Sequence, residues 1–100
     1  MTNLEIVKKF IEDNKLDLSG SGSELNGNCV ILAGFICYIL DASELKSLDG
    51  YELINDLYSI PDLGFSIDAN TELLRVFDFA YESSYEKFWK TTSAKEQYIF

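Results

Sequence analysis

One hundred residues carrying seventeen acids, eight bases and no histidine give a net charge of −9. A chain of that length has room for one hydrophobic core, and 47% apolar residues, 14% of the chain being aromatic, are enough to fill it, so a single globular domain over 1–100 is expected and wholesale disorder is excluded. The negative charge disfavours nucleic acid or an anionic membrane as direct partner, and the lack of histidine removes the commonest general base and metal ligand.

The N-terminal MTNLEIVKKF is amphipathic rather than a basic tip ahead of an apolar run, so it reads as a helix and not as a secretory signal. Leu4, Val7, Phe10 and Ile11 share one face of a helix over about 3–14, with Lys8, Lys9, Glu12 and Asp13 elsewhere. Thr2 followed three residues later by Glu5 supplies its capping box, in which each side chain accepts from the other residue's backbone N–H.

The next stretch, LSGSGSELNGNCVILAGFICYIL, places a glycine–serine loop before the apolar run Cys29–Leu40. That run has twelve residues, bounded by Asn28 and Asp41, whereas a membrane span needs about twenty. A phosphate-binding loop requires Gly-Lys-Ser/Thr or the Gly-x-Gly-x-x-Gly spacing. The segment has no lysine, Gly27 comes two residues late after Gly20 and Gly22, and Glu24 would repel phosphate. The preferred reading is a helix over about 23–40, capped by Ser21 or Ser23 with Glu24, and apolar all round because it lies at the centre of a bundle. Ala33, Gly34 and Cys37 make a small-residue side for close approach of a neighbour. Gly27 and Gly34 each cost about 1 kcal/mol of helix propensity, which tight packing would justify. A buried strand is the alternative, forming a small sheet from Ile31–Ile39 and Leu63–Ile67.

Cys29 and Cys37 are eight residues apart, about 12 Å along a helix, too far for a disulfide. Reduced, buried thiols and a cytoplasmic setting follow. Cys29, near a helix N-terminus, is the candidate nucleophile of a small Cys-dependent hydrolase. With no histidine to act as base, a structural thiol is preferred.

A short third helix is expected after Asp41, with Glu44, Leu45 and Leu48. A fourth, opened by an Asp49–Glu52 box, carries Leu53, Ile54, Leu57 and Tyr58 and stops before Pro61. IPDLGFSIDAN reads as a loop, and Leu73, Leu74, Phe77, Ala80 and Tyr81 mark a fifth helix. YEKFWK and AKEQYIF, with Ser83–Glu86 and Ser93–Glu96 boxes, give one broken or two short helices. The expected fold class is all-α, a bundle of about five to six short helices around the central apolar one.

The acidity is concentrated. Residues 41–86 hold eleven acids against Lys46 and Arg75, while acids and bases cancel in the rest of the chain. Asp49, Glu52 and Asp56 fall on one helical face; with Asp62, Asp68 and Glu72 they form the candidate partner-binding set. Acid–base work or a magnesium site is conceivable for such carboxylates. The Asp-x-Asx-x-Asx-Gly calcium loop is absent, however, and no metal or cofactor site is assigned. The preferred use is charge mimicry, in which spaced carboxylates satisfy a Lys/Arg groove that otherwise holds phosphates. As solvated residues, Asp49, Glu52 and Asp56 should tolerate reversal to lysine without loss of stability. In the tail, Tyr85, Phe88, Trp89 and Tyr98 interleave with Lys87, Lys90 and Lys95 in the manner of a single-strand-binding platform, although packing against helices is preferred for so few lysines.

A hundred residues, no cofactor motif, no histidine, few bases and a central acidic block resemble the small proteins that phages and mobile elements encode against host defences, anti-CRISPR proteins and other DNA mimics among them. The resemblance is one of type: SGSELNGNC and FWKTTSAKEQY match no family motif, and no site residues are carried over. It implies a non-enzymatic inhibitor in the host cytoplasm that occupies the nucleic-acid groove of a basic host protein or complex, touching neither nucleic acid nor membrane itself. Two other functions compete: a regulatory or structural subunit, such as an antitoxin or assembly factor, recognised through the C-terminal aromatics, and a small metal- or Cys-dependent hydrolase.

Overall fold

The computed structural model describes residues 2–20 and 23–82, with the backbone alone for Ser23, Glu24, Tyr81 and Glu82. The first helix, α1 (Asn3–Asp13), opens on the expected box: Glu5 N–H donates to Thr2 Oγ1 at 3.1 Å and Thr2 N–H to Glu5 Oε1 at 3.0 Å. Its far end closes in a Schellman turn, Leu16 N–H reaching the Ile11 carbonyl at 3.1 Å and Lys15 N–H the Glu12 carbonyl at 3.2 Å. The second helix, α2 (Ser23–Ala42), ends the same way. There Leu45 N–H bonds the Leu40 carbonyl at 2.8 Å and Glu44 N–H the Asp41 carbonyl at 3.2 Å. Both turns put a non-glycine residue in the left-handed region, Lys15 at φ 50° and Glu44 at φ 55°.

The second of these turns replaces the short third helix expected from Asp41–Glu44. Asp41 lies in the last turn of α2, Glu44 reverses the chain, and Leu48 joins the next helix, α3 (Ser47–Tyr58). That helix starts three residues earlier than an Asp49–Glu52 box would have it. Asp49 is its third residue, and its Oδ2 accepts from Lys46 N–H at 3.0 Å. Pro61 then opens a 3-10 turn, Pro61–Leu63, closed by Gly64 at φ 65°. The last described helix, α4 (Ile67–Glu82), begins inside the segment read as a loop. Its cap is Ser66, whose Oγ accepts from Ala69 N–H and donates to the Gly20 carbonyl, both at 2.9 Å. Ser66 N–H also donates to the Leu18 carbonyl at 3.0 Å, tying the loop before α4 to the one after α1.

The fold is all-α: Ile31–Ile39 lies within α2, and the described residues contain no strand, so the small-sheet alternative does not form. Four α-helices stand among the described residues where five to six were expected over the whole chain. The expected cap of α2 at Ser21 or Ser23 with Glu24 and the C-terminal helices lie outside the described residues and side chains.

The centre of the core is α2, whose Leu32, Ala33, Phe35, Ile36 and Ile39 are wholly buried. By length and composition Leu25–Ala42 could cross a membrane; here 56% of that window is buried inside the protein, as in a core helix. Its most extensive neighbour is α4, close enough that Cys29 Sγ lies 3.8 Å from the Ala69 carbonyl oxygen. On another side α1 crosses it, the Phe10 ring stacking on Phe35 with centroids 3.9 Å apart and planes 3° from parallel. The expected close-approach residues Ala33, Gly34 and Cys37 are all buried. Gly27 is different: it is exposed, with nothing within 4 Å of the place a Cβ would take, so packing does not account for it.

A glycine that packing does require is Gly50. It is buried on α3 against Phe77 of α4, and an added Cβ would lie 2.9 Å from both Cε atoms of that ring and closer still to Cζ. Tyr51 meets the same ring edge-on, centroids 5.1 Å apart at 89°, while its hydroxyl donates to Asp78 Oδ1. Phe77 is wholly buried in a close-packed core with Tyr51 against its ring, so it has little room to move. Gly50→Ala should therefore cost about 1–3 kcal/mol through overpacking, despite the better helix propensity of alanine. Gly27→Ala should gain up to about 1 kcal/mol. Urea unfolding of the two variants against the parent measures both.

Candidate functional site

The clasp of Gly50 and Tyr51 on Phe77 fixes which side of α3 meets water. Leu53, Ile54 and Leu57 are buried with Gly50, whereas Leu48, Glu52, Asn55 and Asp56 are exposed. At about 100° per residue, Leu48, Asp49, Glu52, Asn55, Asp56 and Ser59 fall within one arc of roughly 120°. The sequence reading of Asp49, Glu52 and Asp56 as one helical face therefore matches the geometry. None of the ion pairs among the described residues involves them: two lie on α1, Lys8–Glu12 and Lys9–Asp13, and one on α4.

The three acids are not equivalent, however. Asp49 is half-buried and satisfies the Lys46 N–H at the start of α3, where its charge also complements the helix dipole. It is a structural residue as well as a surface one. Reversal of all three to lysine therefore carries a stability cost that the sequence alone did not suggest. The spacing that shows this role, Lys46 to Asp49, escapes a search for capping boxes because lysine offers no acceptor.

The other three candidates sit elsewhere. Asp62 is exposed in the 3-10 turn. Asp68 and Glu72 share a face of α4 and line, with Thr71 and Arg75, a shallow open depression of about 220 Å³. Asp68 is exposed, but Glu72 is half-buried and engaged. Arg75 Nε donates to its Oε1, and Asn26 Nδ2 to its Oε2 at 3.3 Å. The hydrogen bond from Arg75, with a smaller one from Asn26, holds the Glu72 carboxyl below the usual glutamate range. The i,i+3 spacing of Glu72 and Arg75 could have signalled this pair in the sequence. Glu72 is thus the member of the set whose charge is already answered.

Among the described residues no group of three or more Cys, Asp or Glu stands where it could hold a metal ion. The thiols are poorly placed for nucleophilic work. Burial pushes Cys29 up to about 11, with the Glu72 charge adding to the effect, and pushes Cys37 up to about 12. A thiolate nucleophile needs the opposite shift. The expectation of two free, buried cysteines agrees with the structure. The aromatic candidates Tyr85, Phe88, Trp89 and Tyr98 lie outside the described residues. Compared with protein-family models, curated proteins and solved structures, the chain matches none.

Two outcomes follow from this geometry. Asp49→Ala should lose about 1 kcal/mol with the capping interaction, while Glu52→Ala and Asp56→Ala stay within about 0.5 kcal/mol of the parent; chemical unfolding separates them. Both thiols should resist an aromatic disulfide reagent in the native protein and react fully in guanidinium. Because their folded values lie above the ordinary 9.0, the stability they contribute is complete below pH 9 and is lost as pH rises toward 11–12. Alanine replacement of both should remove that part of the alkaline loss in a pH series of melts.

Proposed function

We propose that the protein is a non-enzymatic inhibitor that binds another protein, its acidic surface occupying a nucleic-acid-binding site on a basic host component, in the manner of anti-CRISPR proteins and DNA mimics. The observation that carries this reading is the solvent face of α3: Glu52 and Asp56 are exposed and their side chains have no ion-pair or hydrogen-bond partner among the described residues, which include the bases Lys8, Lys9, Lys15, Lys46 and Arg75. Three helical turns whose carboxylates pair with no cation among the described residues carry a row of negative charge. Asp62 and Asp68, exposed on other elements, add to the negative charge of the surface. Asp49 contributes charge while holding the helix start, and Glu72 contributes least, because Arg75 offsets it.

Such a surface acts through long-range attraction before contact. Charges of this kind raise the association rate more than they slow dissociation, and salt screens them over about 8 Å at physiological strength. A basic groove built for phosphates would meet the carboxylates with its lysines and arginines and be closed to nucleic acid while the complex lasts. Host proteins retained on the immobilised protein should be nucleic-acid-binding, and both added salt and competing DNA should release them. The variant for the test is Glu52→Lys with Asp56→Lys, leaving the capping Asp49 in place. It should fold as the parent does and associate at least tenfold more slowly. A partner that binds this variant as fast and as tightly as the parent at every salt concentration would end the proposal.

A further inference from the structure

The acidic arc of α3 is not purely acidic. Leu48, in its first turn, is 67% exposed, and Leu45, in the turn leading into the helix, is 36% exposed. Leu48 lies about 40° around the helix from Glu52 and about 80° from Asp56, on the same side, and the stripe from Leu48 to Ser59 runs about 16 Å, three helical turns. Charge mimicry alone does not account for an exposed leucine at the head of a row of carboxylates. A basic site whose wall is a helix offering apolar and cationic side chains together does.

We propose that this face docks a cationic amphipathic helix of the partner protein, with Leu48, flanked by Leu45, seated among its apolar side chains and Glu52 and Asp56 paired with its lysines or arginines. The proposal rests on the reading of the acidic face as a protein-binding surface and specifies the partner's chemistry. Charge complementarity selects the occupant: no base stands within the stripe, and Lys46 lies outside it at the helix cap. A second copy of this chain fits badly, since a two-fold contact would set Glu52 and Asp56 against the same carboxylates. The match is of the helix-in-groove kind, in which anchors at three- and four-residue spacing carry affinity and flanking charges set orientation.

The test uses the whole protein and two synthetic helical peptides of about fifteen residues and equal positive charge. In one, leucines recur at three- and four-residue spacing between lysines; in the other, glutamines replace the leucines. Calorimetric titration in 150 mM salt should show the leucine peptide binding at least tenfold more tightly. Leu48→Ser should abolish most of that ratio, whereas Ile67→Ser, at a residue 72% exposed on α4, should preserve it. Circular dichroism melts confirm that both variants fold as the parent does. If both peptides bind equally and Leu48→Ser changes nothing, the docking proposal fails while the acidic-surface reading stands. If neither peptide binds, the docking proposal fails, and the acidic-surface reading is decided separately by the Glu52→Lys, Asp56→Lys variant. A protein dimer that Leu48→Ser dissociates would make a second copy the occupant and overturn the proposal.

Discussion

A twenty-residue helix with apolar side chains around most of its circumference cannot be left against water, and covering it dictates the rest of this fold. No single neighbour can do so. The α4 helix runs along one side, where Cys29 lets the Ala69 backbone approach, and α1 crosses the side of Phe35 with Phe10 stacked on it. Loss of a ring such as Phe35 would cost about 3–5 kcal/mol, whereas the exposed ion pairs on α1 contribute up to about 1 kcal/mol each. Stability therefore comes from burial around α2, and the surface charges are left free for another use.

That separation matters for the acidic segment. Helix α3 packs on α4, α1 and α2 with Leu53, Ile54 and Leu57 buried, and its contact with α4 sets Gly50 under the Phe77 ring, Tyr51 at the ring's edge and the Tyr51 hydroxyl on Asp78. Because the contact uses one side of α3 and leaves the opposite side bare, the same packing that holds the helix also orients Leu48, Glu52 and Asp56 outward. Where an acid has a structural duty it shows in the hydrogen bonds: Asp49 at the helix start, Glu72 between Arg75 and Asn26, Asp78 under Tyr51. The side chains of Glu52 and Asp56 have none among the described residues, and on this contrast rests the proposal that they meet a partner.

Helices α1, α3 and α4 were legible in the chain because each repeats apolar residues at three- and four-residue spacing, whereas α2, apolar all round, left a buried strand open; Pro61 and the Thr2–Glu5 box mark boundaries through local chemistry alone. The errors are local too. Asp41–Glu44 and Asp49–Glu52 satisfy the capping pattern but do not cap, because the left-handed turn at Glu44 ends α2 and sets the start of α3 at Lys46. Lysine and glutamate at these turns gave no warning, since glycine is the usual residue there. The Ser66 cap escaped notice because Ala69, three residues on, cannot complete a box.

The sequence by itself determined an acidic chain with mostly helical patterning, a central apolar run, cysteines too far apart on a helix to bridge and a concentrated block of carboxylates. Those properties follow from composition, spacing and helical rise. Only the tertiary structure decided which carboxylates have a structural duty. Asp49, Glu52 and Asp56 look alike along the chain, yet the Lys46 N–H claims the first, while the other two side chains have no partner among the described residues. Nor could the sequence distinguish Gly27, which faces open space, from Gly50, which admits Phe77, or an exposed Leu48 from a buried Leu53. Each depends on which neighbour the packed core brings to that place, a relation between residues far apart in the chain.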